Sequence, residues 1–215
     1  MAVWEDLIPP AQMGAYESKG LSGRRQWGSR PAVLVVDMVK SFVQDEESYV
    51  FCRTGKDAVA AVRKLLDVAR PLQIPVIYTT NKSHRNAAER GRWKSGQNVQ
   101  VKDDANDIAD EILPQGDESV IEKLRPSAFW GTELISLLVY HQIDTLIVTG
   151  VVTSGCIRAT VVDAFSHNYL VIIPEECVAD RNQISHKVNL FDMHMKYADV
   201  VPLEETIRYL ENLKA

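Results

Sequence analysis

Short apolar runs alternate with helical segments along most of this chain, and that alternation limits the folds it can adopt. Runs such as AVLVVD at 32–37, PVIYTT at 75–80 and LVIIP at 170–174 are continuous and rich in β-branched residues. Such runs are typical of parallel strands that are covered on both faces. The segments between them repeat apolar residues at helical spacing, as at 56–72. This alternation predicts a parallel sheet with helices on both sides.

The full pattern predicts a three-layer α/β sandwich around a largely parallel, six-stranded sheet. Its strands are predicted at 32–37, 75–80, 119–122, 144–150, 170–174 and 200–201, and its helices at 56–72, 132–141, 157–167, 184–196 and 203–213. A chain of 215 residues is long enough for one such core and short for two domains. We therefore predict one domain over 31–215. The arm before it, 1–30, is predicted to pack on the domain or to form a subunit contact.

The charge and hydropathy of the chain exclude several kinds of partner. Its formal net charge is −5, and no cluster of Lys and Arg offsets that sign, which predicts no nucleic-acid partner. No apolar run approaches the ~20 residues that span a bilayer, and the N-terminus has no basic start followed by an apolar segment. We therefore expect no membrane partner and no secretion signal.

Three cysteines, Cys52, Cys156 and Cys177, stand far apart in the sequence. An odd number at wide spacing fits free thiols in a reducing compartment better than a disulfide framework, so we expect a cytoplasmic protein. The chain also lacks the Cys-x-x-Cys and His-x-His spacings that structural zinc sites usually include. A structural zinc is therefore not expected.

Polar residues at the carboxyl ends of the predicted strands are the first candidates for a functional site, since ligands of open α/β sheets bind there. Asp37 ends the first strand, Asn81 follows the second, Lys123 follows the third, and Cys156 lies where the helix after the fourth begins. The loop after the second strand, 81–103, is polar and far longer than the usual ~4–6 residues. Loops of this length tend to be functional, and this one is a candidate lid.

Cys156 permits two interpretations. A free cysteine is most often a small, buried core residue. Its position at a helix N-terminus instead favours a reactive thiol, because unpaired N–H groups and the helix dipole lower the thiol pKa. The preceding VVTSG is a small-residue turn whose backbone N–H groups can hold an oxyanion. Cys52 and Cys177 lack this setting, and we interpret both as structural or incidental.

Asp37 and Lys123 also have ordinary interpretations, as a helix cap and as a surface lysine. Asp37, however, stands between apolar neighbours in VVDMV, where a carboxylate needs a cation or a donor, or has a raised pKa suited to a general base. Lys123 precedes a segment with a proline, small residues and two adjacent aromatics, which is not a solvated face. A lysine between a carboxylate and a thiol would stabilise both anions.

Four segments together resemble the isochorismatase-like cysteine hydrolases, in the branch that contains N-carbamoylsarcosine amidohydrolase and maleamate amidohydrolase. They are LVVDMVKSF at 34–42, KLRPSAFWGTEL at 123–134, VTGVVTSGCIRATVVDAF at 148–165 and VADR…NLFDMHMKYADVV at 178–201. The resemblance covers essentially 31–213 and keeps the family's order of Asp, Lys and Cys. It implies that 31–215 is a cysteine hydrolase domain and that the protein forms homodimers or homotetramers.

The resemblance also implies a role for each matching residue. Asp37 is similar to the base that takes the thiol proton and later passes it to the leaving amine. Lys123 is similar to the lysine that holds the other two residues, and Cys156 to the nucleophile. The family's non-proline cis peptide would fall at Val151–Val152, with the N–H groups of Val152 and Cys156 as the oxyanion hole. Relatives that hydrolyse a vinyl ether lack the cysteine, so its presence favours C–N bond hydrolysis.

Two departures from the family's pattern affect what we expect for metal binding and for recognition of the substrate. The metal-binding branch has an Asp and two His after the second strand, whereas this stretch offers only His84, so we expect no metal and no cofactor. Relatives in the matching branch usually carry Thr where this chain has Val152, which removes a hydroxyl near a substrate carboxylate. Arg181 matches the arginine that pairs with that carboxylate, and a guanidinium suits such bidentate recognition.

The expected function is metal-independent hydrolysis of a C–N bond in a small carbamoyl or amide substrate, through an intermediate on cysteine and with release of ammonia. Phe42, Trp93 and Trp130 are further candidates for contact with that substrate. One alternative is a catalytically silent, oligomeric binding protein, and another is an amidase or lactam hydrolase that acts on a larger metabolite. A redox-sensing thiol protein is a third, which would need a resolving cysteine near Cys156.

Overall fold

A parallel β-sheet forms the middle layer of the computed structural model, which describes residues 2–21, 23–94 and 102–213. Its strands are β1 (Pro31–Val36), β2 (Val76–Asn81), β3 (Ser119–Lys123), β4 (Thr145–Val151), β5 (Leu170–Pro174), β6 (Val178–Ala179) and β7 (Asp199–Val201). The order across the sheet is β3-β2-β1-β4-β5-β7, and β6 pairs with the end of β4. Every pairing is parallel. The six predicted strands are all present, and the two-residue β6 is a seventh that is too short to form an apolar run.

Helices cover both faces of this sheet, namely α1 (Pro10–Glu17), α2 (Lys40–Val43), α3 (Gly55–Ala69), α4 (Ala87–Arg90), α5 (Leu134–Tyr140), α6 (Arg158–Ser166), α7 (Gln183–Lys196) and α8 (Leu203–Asn212). α3 and α8 pack on one face with Val33 and Val35, and α5, α6 and α7 pack on the other with Leu34 and Val36. Successive strand residues point to opposite faces, so the all-apolar β1 fills both layers. The predicted three-layer sandwich is confirmed. None of the described helices is long and apolar enough to cross a membrane.

The described part of the N-terminal arm, 2–21 and 23–30, packs against its own domain. Trp4 is buried edge-on against Phe191 of α7, with the ring centroids 6.1 Å apart. Trp27 donates its indole N–H to Asp199 of β7 at 2.7 Å. The helix α1 lies in this arm, where the sequence shows only a polar, glycine-containing segment. Its use as a subunit contact stays a prediction.

The long segment after β2 contains the short helix α4 and returns to the sheet beside the end of β3. Arg125 donates to the carbonyl of Glu89 at 2.8 Å, and Trp93 donates its indole N–H to the carbonyl of Leu124 at 3.1 Å. Both contacts hold the segment next to the residues that follow Lys123. The middle of the candidate lid, 95–101, lies outside the described residues, and its role as a lid stays a prediction.

Candidate active site

The three residues predicted to be catalytic meet at the carboxyl edge of the sheet. Asp37 directly follows β1, Lys123 ends β3, and Cys156 lies in a five-residue π-helical turn, Thr153–Ile157, between β4 and α6. Lys123 Nζ lies 2.6 Å from Asp37 Oδ2 and 3.5 Å from Cys156 Sγ. Asp37 is 0% exposed, Lys123 2% and Cys156 9%. We call this buried cluster of carboxylate, ammonium and thiol the Asp–Lys–Cys triad.

Asp37 is held by β2 in a backbone conformation that few residues adopt. Its φ is 54°, in the left-handed region that Asp tolerates better than most residues but that still strains the backbone. The Asp37 N–H donates to the carbonyl and the hydroxyl of Thr79, at 3.1 and 3.2 Å, and that hydroxyl donates to Asp37 Oδ1 at 2.7 Å. Oδ2 contacts Lys123 as an ion pair but accepts no hydrogen bond of ordinary geometry from the described residues. The two oxygens thus have different partners, Thr79 at Oδ1 and Lys123 at Oδ2.

Lys123 is a buried cation between the Asp37 carboxylate and the Cys156 sulfur. Burial by itself lowers its pKa, but the interactions with Asp37 and, after it, with Cys156 outweigh burial, so the Lys123 pKa is raised above its usual value. Its ammonium also donates to the carbonyl of Arg125 at 3.1 Å. These contacts keep Lys123 charged and fix the direction of its ammonium.

The resting state of Cys156 differs from the sequence-based expectation of a lowered thiol pKa. Burial is the main cause of a pKa raised from 9.0 to about 12, and the charge of Asp37 raises it further while Lys123 opposes both. The expectation of a lowered pKa is therefore contradicted, because burial and the neighbouring carboxylate both favour the protonated thiol. The sequence locates the strand-to-helix turn, but it shows neither how deeply the thiol is buried nor that a carboxylate lies beside it.

The turn that carries Cys156 follows a glycine in a conformation that side chains rarely adopt. Gly150 has a φ of 118°, and a Cβ at this position would collide with the backbone of Val36 in the neighbouring strand β1. The peptide bond Val151–Val152 is cis, where the family resemblance places it. The use of the N–H groups of Val152 and Cys156 as an oxyanion hole stays a prediction.

Thr79 is a site residue that the sequence does not single out. It pairs with Val36 in the β1–β2 register, next to the point where the chain turns at Asp37. The available signal is the polar pair Thr79 and Thr80 that ends the apolar run of β2. Thr80 points to the other face and donates to the carbonyl of Asn106. Only the register decides which of the two hydroxyls reaches the carboxylate.

The residues predicted to bind a substrate make no hydrogen bond or ion pair with the triad within the described part of the chain. Arg181 is exposed and donates to the carbonyl of Val50 at 2.8 Å. Phe42 is half-buried against the core, and Trp93 and Trp130 are 37% and 68% exposed. Their contact with a substrate stays a prediction.

An open cleft of about 560 Å³ lies near the ends of β2 and β3. Thr80, Asn81 and Glu122 are among the residues that line it, and none of the three triad residues does. Within 2–21, 23–94 and 102–213, no three His, Cys, Asp or Glu side chains lie close enough to hold a metal ion.

The sheet and the triad define the class of the protein: a parallel α/β fold with a buried cysteine at a strand–turn–helix junction. The isochorismatase domain matches residues 31–205. N-carbamoylsarcosine amidase from Arthrobacter is 35% identical over 220 residues, which cover 99% of this chain and 83% of that protein. Maleamate amidohydrolase from Pseudomonas putida is 34% identical over 213 residues, which cover 94% and 98%. This protein belongs to the isochorismatase-domain family.

Solved structures share the same fold. N-carbamoylsarcosine amidase from Thermoplasma acidophilum has a TM-score of 0.70 and 29% identity, over 81% of this chain and 97% of that one. A cysteine hydrolase from Pseudomonas syringae has a TM-score of 0.79 and 25% identity, over 88% and 97%. The predicted fold and the family resemblance are both confirmed.

Proposed function

We propose that this protein is a metal-independent amidohydrolase that cleaves a C–N bond of a small carbamoyl or amide substrate and releases ammonia. Its family and its amidohydrolase relatives make it a hydrolase that acts on carbon–nitrogen bonds other than peptide bonds. The observation that carries the proposal is the triad, in which one buried ammonium lies 2.6 Å from a carboxylate and 3.5 Å from a thiol.

The first proposed step is transfer of the Cys156 proton to Oδ2 of Asp37. The thiolate that forms lies 3.5 Å from the Lys123 ammonium, whose charge stabilises it. This transfer also neutralises the carboxylate, and the charge of that carboxylate is one reason for the high thiol pKa. The net charge of the buried site does not change, so no uncompensated charge is created.

The thiolate then attacks the carbonyl carbon of the substrate, forming a C–S bond and moving the C=O electron pair onto oxygen. The N–H groups of Val152 and Cys156 are proposed to hold that oxyanion. When the intermediate collapses, the C–N bond breaks, and the leaving nitrogen takes the proton from Asp37 and departs as ammonia. Water, deprotonated by Asp37, then hydrolyses the thioester or carbamoyl-thio intermediate, and Asp37 returns a proton to the Cys156 sulfur.

The proposed substrate is small and polar or anionic. Its carboxylate is assigned to Arg181, whose guanidinium is exposed and pairs with a carbonyl rather than with an acid. Val152 has no hydroxyl that could donate to such a carboxylate. Arg181 therefore has to bind the carboxylate without help from residue 152. The relatives that are 35% and 34% identical are named for N-carbamoylsarcosine and maleamate, and these two compounds are the first candidate substrates.

An ammonia-release assay over N-carbamoylsarcosine, other N-carbamoyl amino acids and maleamate tests this proposal. We expect at least one of these compounds to be hydrolysed, and Cys156→Ala to abolish the reaction. Cys177→Ala is the matched control, because Cys177 is also buried and lies outside the triad. Activity should also survive dialysis against a chelator.

Two results would contradict the proposal. If Cys156→Ala released ammonia as fast as the wild-type protein, the cysteine would not be the nucleophile. If no compound of the panel were hydrolysed while iodoacetamide still modified Cys156, the protein would be a silent member of the family or would act on a larger amide.

A further inference from the structure

Two buried contacts join the turn that carries Cys156 to α7 and to Asp180, which lies shortly before that helix. Thr153 Oγ1 lies 2.8 Å from Nδ1 of His186, and both side chains are buried. The backbone N–H of Ser154 donates to Oδ2 of Asp180 at 2.7 Å, and Asp180 is buried as well. Neither Asp180 nor His186 belongs to the triad.

Asp180 is itself fixed from several directions. Its other carboxylate oxygen accepts from the Asn182 N–H at 3.4 Å, and its carbonyl accepts from Thr54 at 3.0 Å and from Gln183 at 3.2 Å. The strand β6, directly before Asp180, pairs with the last residues of β4. Asp180 is therefore anchored to the strand from which the turn leaves.

The turn has irregular hydrogen bonding of its own, so contacts from Asp180 and His186 are needed to fix its shape. It is a π-helical turn of five residues, and such turns occur mostly as single insertions, frequently at functional sites. Thr153 and Ser154 are its first two residues, and Cys156 is the fourth. A shift of the first two residues would move the thiol relative to Lys123, which lies 3.5 Å from Sγ.

We propose that Asp180 and His186 are positioning residues that hold this turn so that the thiol of Cys156 stays within reach of Lys123. The effect on kcat that we expect rests on the proposed function. The effect on the position of the Cys156 thiol does not. Asp180 acts through the Ser154 N–H, and His186 acts through the Thr153 hydroxyl. Neither side chain needs to contact the substrate.

The main test replaces Thr153, because Thr153→Val keeps the shape of the side chain and removes only the hydroxyl that meets His186. We expect kcat to fall about 10- to 100-fold with KM nearly unchanged, as for small misplacements of reacting groups. Thr153→Ser keeps the hydroxyl and should restore kcat. Thr206→Val is the matched control, since Thr206 is also buried but its hydroxyl has no hydrogen-bond partner among the described residues.

A second readout does not depend on any substrate. Iodoacetamide alkylation of Cys156, followed by peptide mapping to exclude Cys52 and Cys177, reports how well Lys123 stabilises the thiolate. We expect Thr153→Val and Asp180→Leu to slow this alkylation at neutral pH, and Thr153→Ser and Thr206→Val to leave it unchanged. Asp180→Leu removes both carboxylate oxygens, including the one that accepts from the Ser154 N–H, and it preserves the test if Thr153→Val does not fold.

The inference is overturned if both variants alkylate at the wild-type rate and lose only thermal stability. It is also overturned if Thr153→Ser is as impaired as Thr153→Val, because the hydroxyl would then not be the cause. If the wild-type protein hydrolyses no amide, the proposed function fails, while the alkylation rates still decide whether Asp180 and His186 position the thiol.

Discussion

At the scale of single residues, Asp37 has two opposite effects on Cys156. Its charge raises the thiol pKa, and in the proposed mechanism its carboxylate also takes the thiol proton. Asp37→Asn separates these effects, because it removes the charge and the base but leaves the Lys123 ammonium beside the thiol. We expect faster alkylation of Cys156 at neutral pH, together with a loss of amide hydrolysis of about 100-fold or more.

The measurement is iodoacetamide labelling at several pH values, alongside the ammonia assay. Lys123→Met is the reciprocal control, since it removes the cation that lowers the thiol pKa, and labelling should then become slower than in the wild-type protein. Slower labelling in Asp37→Asn would show that the carboxylate does not raise the pKa of Cys156.

Thr79 supports the carboxylate from β2, and its hydroxyl is a second residue-scale prediction. Thr79→Val leaves Oδ1 of Asp37 without its donor, and the loss of a buried hydrogen bond costs about 1–3 kcal/mol of unfolding free energy. Urea denaturation measures this loss. Thr206→Val removes a buried hydroxyl that has no partner among the described residues, and it should cost much less. Equal losses in the two variants would contradict a special role for Thr79.

The sequence predicts the triad because each member ends or follows a predicted strand, and the family motifs match the same three positions. It does not predict Thr79, because that contact depends on the register between β1 and β2. It also predicts the wrong direction for the pKa of Cys156. A helix N-terminus can be inferred from local sequence, whereas the burial of the thiol and the approach of Asp37, more than a hundred positions earlier in the chain, arise only in the folded structure.

At the scale of elements, the junction between β4 and the turn depends on Gly150. A Cβ at this position would meet the backbone of Val36, and the φ of 118° disfavours any side chain. We expect Gly150→Ala to lower the melting temperature strongly and to abolish activity. Gly14→Ala in α1 is the matched control, because nothing lies within 4 Å of its Cβ position. That change should stabilise the protein by about 0.5–1 kcal/mol, so equal melting temperatures for the two variants would contradict the argument.

The elements divide into those that local sequence predicts and those that it does not. β5 is predicted to the residue, at Leu170–Pro174, because a continuous apolar run marks a buried parallel strand. β6 has two residues and forms by pairing with β4, which no local pattern shows. The π-helical turn Thr153–Ile157 is likewise absent from a pattern that predicts an ordinary helix from residue 157. Its shape depends on the anchoring contacts from Asp180 and His186.

At the scale of the whole molecule, the family resemblance predicts a homodimer or a homotetramer. Large hydrophobic side chains such as Trp130, 68% exposed, and Tyr140, 80% exposed, lie on the surface of the single chain. Multi-angle light scattering on the purified protein measures the mass directly. We expect a mass of two or four chains, and a monomer across the accessible concentration range would remove this prediction.

The whole fold also keeps several weak acids neutral, and this sets how stability changes at high pH. Burial raises the pKa of Tyr209 from 10.0 to about 12 and that of Cys156 from 9.0 to about 12, and it raises the pKa of Cys177 as well. In the unfolded chain these groups lose their protons near pH ~9–10, whereas the folded chain retains them. The unfolded state then binds fewer protons, so stability is complete below about pH 9 and falls as pH rises toward 12.

Tyr209→Phe tests this linkage one group at a time. The Tyr209 hydroxyl donates to the carbonyl of Gly28 at 2.9 Å, so the variant should be somewhat less stable than the wild-type protein at pH 8. The variant has one fewer acid to ionise on unfolding, and its unfolding free energy should therefore fall less steeply between pH 10 and 11. Urea denaturation at pH 8, 9, 10 and 11 gives both slopes. Parallel slopes would show that the fold does not raise the pKa of Tyr209, and the alkaline loss of stability would then have to come from the buried thiols.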